Sequence, residues 1–413
     1  MSFFSQNGPS SGKRQDTFIS LRARDFRYLW LGILSMNAGM QMQSIARGYL
    51  VYDLTSSPIL LGVVSAGFSI PMLCLALFGG AIADRFDRKR VIQLSQGLCG
   101  LTSLVIAASI STETVTWVHL FVASFLQGIA FAFMVPSRTA LIPRLVSGEL
   151  VTNALALNAA AMSSTTLLAP AFAGNLYGLV GPDGVYYIIC VLEFLAVVFT
   201  GLVRNVDNDS ERKGVTMMGD IIAGLRYILR NPLIVVLLAM ALATALLAMP
   251  IRFLLPILVI DVYHRGPEAL GLLVSVMGIG ALVGSLAIAS MGKWRRGILL
   301  ILGGILSGVG LLLIGLIPVY TVAAFLMLLL GLGDSARRSL NMAMLLEVAD
   351  DQYQGRVSSV YTMNFGLMPL GILPAGVIAQ YFGGQAAAGT LAIALLIICS
   401  AVALFYRPLR RMM

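Results

Sequence analysis

GGAIADRFDRKR (residues 79–90) places two glycines, an aspartate and then four cations within six residues at the end of a run that is otherwise free of charge. A bilayer core of about 30 Å takes about 20 apolar residues of helix. The run before the charges (59–83) and the run after them (91–110) both have that length. Extending outward, the chain contains twelve such runs: 28–53, 59–83, 91–110, 116–137, 153–180, 184–203, 233–262, 269–291, 297–316, 319–342, 357–382 and 387–406. Composition agrees, because 58% of residues are hydrophobic and 11% charged, against about a quarter charged in soluble domains.

The charges also orient the chain. Of 28 Lys and Arg, 23 fall in the tails and in the loops after the even-numbered runs, and cations in short loops stay on the cytoplasmic side. Both termini are therefore expected in the cytosol, in a multi-pass protein of the plasma or inner membrane. The polar, basic first 25 residues lack the apolar core of a signal peptide. The net charge of +9 is divided among separate membrane loops, so anionic lipid is the expected partner of these groups and nucleic acid is not. Cys74, Cys99, Cys190 and Cys399 are scattered, and His119 and His264 have no second ligand nearby, so neither a metal nor another cofactor is expected.

The polar stretch NVDNDSERKG (205–214) marks the midpoint, and shifting the chain on itself by about that length aligns functional-looking residues. Arg47 meets Arg252, Lys89 and Arg90 meet Arg295 and Arg296, Gly97 meets Gly303, and Pro170 meets Pro374. The expected organisation is a cytosolic tail (1–25), a six-helix bundle (26–203), a cytosolic linker with an amphipathic segment (204–232), a second six-helix bundle (233–406) and a basic tail (407–413). Two parallel halves with even numbers of spans enclose a cavity near the bilayer midplane. The expected fold class is an all-α membrane protein, and a monomer would suffice for this design.

Gly80, Asp84, Arg85, Arg88 and Lys89 resemble the signature loop of the major facilitator superfamily, G-x-x-x-D-R-x-G-R-K, with Asp87 in place of the usual glycine. A degenerate second copy is MGKWRR (291–296). RDFRYLWLG (24–32), ARGYLVYDLTSSPILLG (46–62) and GRVSSVYTM (355–363) resemble the exporter branch that includes enterobactin exporters and macrolide efflux proteins. The resemblance implies a cytosolic latch in which Asp84 engages the opposite bundle in one conformation and releases it in another. Ser124 stands where drug exporters carry an arginine ahead of Gln127 and Gly128, and the glycine-rich antiporter signature is only partly kept in APAFAG (169–174).

Ionisable residues inside a membrane are costly, at about 2.5–3.5 kcal/mol on insertion scales, and so are candidates for function. Asn37, Gln41, Ser44 and Arg47 form a polar stripe at helical spacing that should line the cavity. Arg252 lies between Pro250 and Pro256, where missing backbone donors should bend the helix. Two facing arginines suit an anionic group on the substrate; alternatively, each pairs with an acid such as Asp53 or Asp261 in an outer gate. Asp334, Arg337, Arg338 and Asn341 share a helix face, as a structural ion pair or as a proton-coupling site around Asp334. Glu193, in CVLEFL, has no cation nearby in sequence and is the second candidate for proton coupling, although its span is peripheral in the resembled family. GLMPLGILPAG (366–376) suits a helix that bends during gating or one that packs closely.

Enzyme readings fail on spacing. GPSSGKRQ (8–15) has three residues between its glycines where a phosphate loop has four, and carries Arg14 where that loop needs Ser or Thr. The expected function is secondary transport: export of a small amphipathic or anionic solute in exchange for protons, by rocking of two halves. A lysophospholipid transporter or flippase and a non-transporting membrane sensor are the alternatives.

Overall fold

The computed structural model describes residues 18–204, 226–291, 295–350 and 353–410, apart from the side chains of residues 76–85, 149, 359, 362, 364 and 365. The described residues form helices joined by short turns and loops, with no strand among them. A short 3-10 turn (Ile19–Arg22) leads into α1 (Arg24–Thr55), α2 (Pro58–Arg85), α3 (Arg88–Ser111), α4 (Trp117–Leu141) and α5 (Val151–Gly201). After the linker come α6 (Pro232–Leu247), α7 (Ile251–Ile257), a π turn (Leu258–Val262), α8 (Pro267–Met291), α9 (Arg296–Leu316) and α10 (Tyr320–Val348). The chain closes with α11 (Gln354–Gly366), α12 (Pro369–Phe405) and α13 (Arg407–Arg410).

Helix starts are set by local chemistry. Asp87, the residue that departs from the family's loop pattern, caps α3: its carboxylate accepts from the backbone N–H groups of Lys89 (2.9 Å) and Arg90 (3.5 Å). Asn231 does the same for α6, accepting from Leu233 at 3.1 Å and Ile234 at 3.4 Å, with Pro232 at the first helical position, where its missing donor costs nothing.

Nine stretches among the described residues are long and apolar enough to cross a membrane. Two of them, α5 and α12, are each broken by one residue in a non-helical conformation, Gly181 (φ 77°) and Gly383 (φ 87°). Only glycine takes up this φ without strain, so each long helix folds at that point into two arms. α1 falls outside the nine and carries the polar stripe described above. Large apolar side chains such as Leu94, Leu179, Phe325, Ile397 and Phe405 face outward, as a lipid-facing surface requires.

Before the linker, α1 packs on α5, α2 on α4, and α3 on both α4 and α5. After it, α8 packs on α10, α9 on α10 and α12, and α6 on α12. The halves meet where α5 crosses α8 and α2 crosses α12. At the first crossing Gly174 and Gly271 face opposing backbones; a Cβ on either would collide with the carbonyl oxygen of Pro267 or Pro170. This close approach needs glycine on both sides.

The bend expected around Arg252 is present. The helix around Arg252 breaks between Leu247 and Ile251 and loosens again in the π turn. The GLMPLGILPAG segment breaks between Gly366 and Pro369.

Candidate functional site

A cavity of about 370 Å³ lies between the two halves. Its first-half wall comes from α1 (Gln41, Gln43, Ser44, Arg47), α2 (Ser65, Phe68, Ser69, Met72) and α4 (Gln127, Phe131). The second-half wall is Met249, Arg252, Phe253, Pro256, Leu270, Val274, Met368 and Ile372. The surface is thus mainly apolar, with flexible methionines and aromatic rings, and carries two guanidinium groups. Such a lining fits an amphipathic solute.

Three of the four residues of the α1 stripe, Gln41, Ser44 and Arg47, reach this cavity; Asn37 is buried outside the lining, with its Nδ2 unbonded. Arg47 Nη1 donates to Gln127 Oε1 (3.3 Å), and Gln127 Nε2 donates to Thr102 Oγ1 (3.1 Å). Arg252 lines the opposite wall and its Nε has no hydrogen-bond partner. No described acid forms an ion pair with either arginine. The acid suggested for an outer gate is engaged differently: Asp261, on the π turn, accepts a hydrogen bond from the Tyr52 hydroxyl of α1.

The α10 cluster stands apart from the main cavity. Asp334 accepts from Arg337 Nη2 at 2.7 Å and pairs with Arg338 Nε at 2.9 Å. Asp334 and Arg337 border a small pocket with Thr244 and Ser307, the Arg338 side chain is 44% exposed, and Asn341 donates to the Leu237 carbonyl of α6 at 2.9 Å. One helix face therefore serves three settings, and none of its four members is in the cavity wall. Arg252 lies within electrostatic reach of Asp334, Arg337 and Arg338 and links the cluster to the cavity.

Glu193 points into the first-half bundle. It is 1% exposed, enclosed by α1, α3 and the second arm of α5. Ser103 Oγ donates to Glu193 Oε2 at 2.6 Å, and Gln43 Nε2 donates to Ser103 Oγ at 3.4 Å. Gln43, Thr102, Ser103 and Tyr52 were not singled out from the sequence. For Gln43 a signal existed, since it sits beside Ser44 in the polar run QMQS.

On the side of the cavity away from the linker, the halves are joined by the Tyr52–Asp261 contact, by Ser57 Oγ to Gln380 Oε1 (2.9 Å) and by the Ala171 N–H to Ser275 Oγ (3.1 Å). In the signature loop, Lys89 Nζ donates to the Val203 carbonyl at 2.6 Å and Arg88 is buried. The side chains of Gly80, Asp84 and Arg85 lie outside the described residues.

Comparison with known proteins supplies the wider context. The sequence pattern of the Major Facilitator Superfamily matches residues 29–372. Macrolide efflux protein A of Streptococcus pyogenes is 25% identical over 91% of this chain and 95% of its own length. The staphyloferrin A transporter of Staphylococcus aureus is 24% identical (86% and 90% covered), and the enterobactin exporter EntS of Citrobacter koseri 23% (82% and 79%). Among solved structures, the nucleoside transporter NupG (D323A mutant) superposes with a TM-score of 0.77 at 13% identity over 92% of this chain and all of that one. A bacterial homologue of the lysosomal transporter Spinster, in an inward-facing and unoccupied conformation, gives 0.71 at 14% identity over 97% and 98%. These two likenesses concern the fold alone. With the family pattern spanning most of the chain and an apolar cavity between its halves, the protein belongs to the major facilitator superfamily: it is a multi-pass membrane transporter of small molecules, not an enzyme.

Proposed function

We propose that this protein is a proton-coupled exporter of an anionic, amphipathic solute, working by alternating access as its two halves rock about the central cavity. The observation that carries this reading is the pair of arginines, Arg47 and Arg252, on opposite walls of a cavity otherwise lined by methionine, aromatic and aliphatic side chains. A guanidinium without a paired acid in an apolar wall favours an anionic ligand, which supplies the missing charge and acceptors. The efflux and siderophore-transport names of the relatives support the export of a small amphipathic solute.

In this reading twelve segments cross the membrane: the nine apolar stretches, the extra arms created by the breaks in α5 and α12, and α1. Six fall on either side of the linker. The concentration of cations on the linker side puts that side in the cytosol of an inner or plasma membrane. The contacts around Tyr52–Asp261 then close the outer end, and the state is one that receives solute from the cytosol. Inward return of one proton down 100 mV supplies about 2.3 kcal/mol, about a 50-fold concentration ratio. Asp84 remains the proposed latch of the opposite gate; Asp84→Asn should slow turnover with solute affinity kept.

The test is reconstitution into lipid vesicles with an imposed pH gradient, offering enterobactin, staphyloferrin A and a macrolide separately. Accumulation of an anionic siderophore by the parent protein, lost in Arg47→Ala and Arg252→Ala, is the expected result. Equal siderophore transport by both variants would remove the arginines from recognition. Movement of headgroup-labelled lysophospholipid in place of these solutes would favour a lipid transporter.

A further inference from the structure

Glu193 is not used by the recognition scheme above, and its surroundings are specific. On α1, Gly39 leaves room for it: a Cβ there would stand 3.3 Å from Glu193 Cγ. From α3, Ser103 donates to its Oε2 at 2.6 Å, and Cys99 lies within electrostatic reach. On α5 itself Cys190 and Tyr186 are within the same reach, and the Tyr186 hydroxyl has no hydrogen-bond partner. Tyr186 is in turn within electrostatic reach of Arg47. No cation among the described residues forms an ion pair with Glu193. A buried carboxylate with so little compensation is costly, and gaining a proton removes the cost.

Two chains of hydrogen bonds run from the cavity to adjacent residues of α3. One is Gln43 to Ser103 to Glu193; the other is Arg47 to Gln127 to Thr102. Gln43 and Arg47 are one helical turn apart on α1 and both line the cavity. A solute anion that takes hold of Arg47 therefore competes with Gln127 and disturbs α3 beside Ser103.

We propose that Glu193 is the proton-carrying site of the transport cycle, loaded through Ser103 when Gln43 moves aside, and coupled to solute through Arg47. This rests on the exporter reading. In the loading step the Ser103 hydroxyl gives its proton to Glu193 Oε2, and a hydronium ion in the cavity returns a proton to the Ser103 oxygen and is left as neutral water. The carboxylate goes from one negative charge to none. An amide does not relay protons, so Gln43 acts as a stopper over the hydroxyl, and its displacement admits the water.

The first test needs no solute. Infrared difference spectra of the detergent-purified full chain, recorded between acid and alkaline pH, should show a carboxylic-acid carbonyl band that is missing in Glu193→Gln and displaced in Ser103→Ala and Glu193→Asp. An undiminished band in Glu193→Gln would overturn the assignment. The second test follows, as pH is varied, vesicle transport of whichever of the three solutes the parent moves. The parent rate should change about tenfold across its titration range, the Glu193→Gln rate should be flat, and Glu193→Asp should regain pH dependence. Parental pH dependence in Glu193→Gln would overturn the coupling. If the parent moves none of the three solutes, the exporter reading and the coupling role fall together, while the infrared result still decides whether Glu193 binds a proton.

Discussion

Glu193 and Asp334 are both buried acids in the middle of helices, one in each half of the chain, yet their partners differ completely. Asp334 is held by two guanidinium groups, Arg337 at 2.7 Å and Arg338 at 2.9 Å, and Arg252 lies beyond them. Glu193 has one hydroxyl, two thiols and a tyrosine around it. An ion pair in low dielectric keeps its carboxylate charged, and removing one member leaves the other stranded. A lone carboxyl gains or loses a proton with little change in its neighbours' bonding. The first arrangement suits a fixed strut behind the second-half arginine, the second a group that changes state during a cycle. Sequence spacing already pointed this way, with Arg337 and Arg338 three and four residues after Asp334 and no cation near Glu193.

The contrast breaks most readily on stability. Asp334→Ala should cost about 3–5 kcal/mol, because buried Arg337 loses its counter-charge; Glu193→Gln, which keeps size and polarity, should cost about 1 kcal/mol. Thermal unfolding in detergent reads both, and equal losses would mean that Glu193 is a strut as well. Next in size is recognition. Arg252→Ala and Arg47→Ala should each weaken binding of whichever anionic solute the vesicle assay shows to be moved about tenfold or more, by loss of charge-assisted hydrogen bonds, measured by titration calorimetry. Gly39→Val should crowd Glu193 at a cost of about 1–3 kcal/mol and alter the pH profile of transport, whereas a bulkier residue at Gly97, which has open space around it, should do neither.

The smallest expected effect lies at the outer closure. Tyr52→Phe removes the hydrogen bond to Asp261, worth about 1 kcal/mol, which should raise the outward-open population about fivefold. The readout is maleimide labelling of a cysteine placed in the cavity by Ser65→Cys, with exposed Cys74 replaced by serine. Unchanged labelling would show that the Ser57–Gln380 bond and the α5–α8 glycine contact hold that end without it.

Much of the architecture was legible because it depends on one-dimensional patterns. Apolar runs of bilayer length, cations in alternate loops, and prolines flanking Arg252 are properties of consecutive residues, and the helices and their breaks follow them. Arg47, Gln41 and Ser44 were found from helical spacing, and they do share a wall. The same rule placed Asn37 in that wall and grouped Asn341 with the α10 charges; the structure buries Asn37 outside the lining and turns Asn341 toward α6. Helical spacing says which residues share a face but not which neighbour that face meets. Asp87 was read as a lapse from a motif, and its use became visible only as the cap of α3.

The sequence by itself determined that this chain lives in a membrane, since the transfer cost of each residue is local, and it set the expectation of two repeated halves with arginines at matching places. Only the tertiary structure decided that Ser103 and Gln43 reach Glu193, that Asp261 serves Tyr52 and that Arg252 faces Arg47 across a cavity. Those contacts join residues from tens to hundreds of positions apart, and hydrogen bonds a few ångströms long are set by how helices cross, a relation that no single helix encodes.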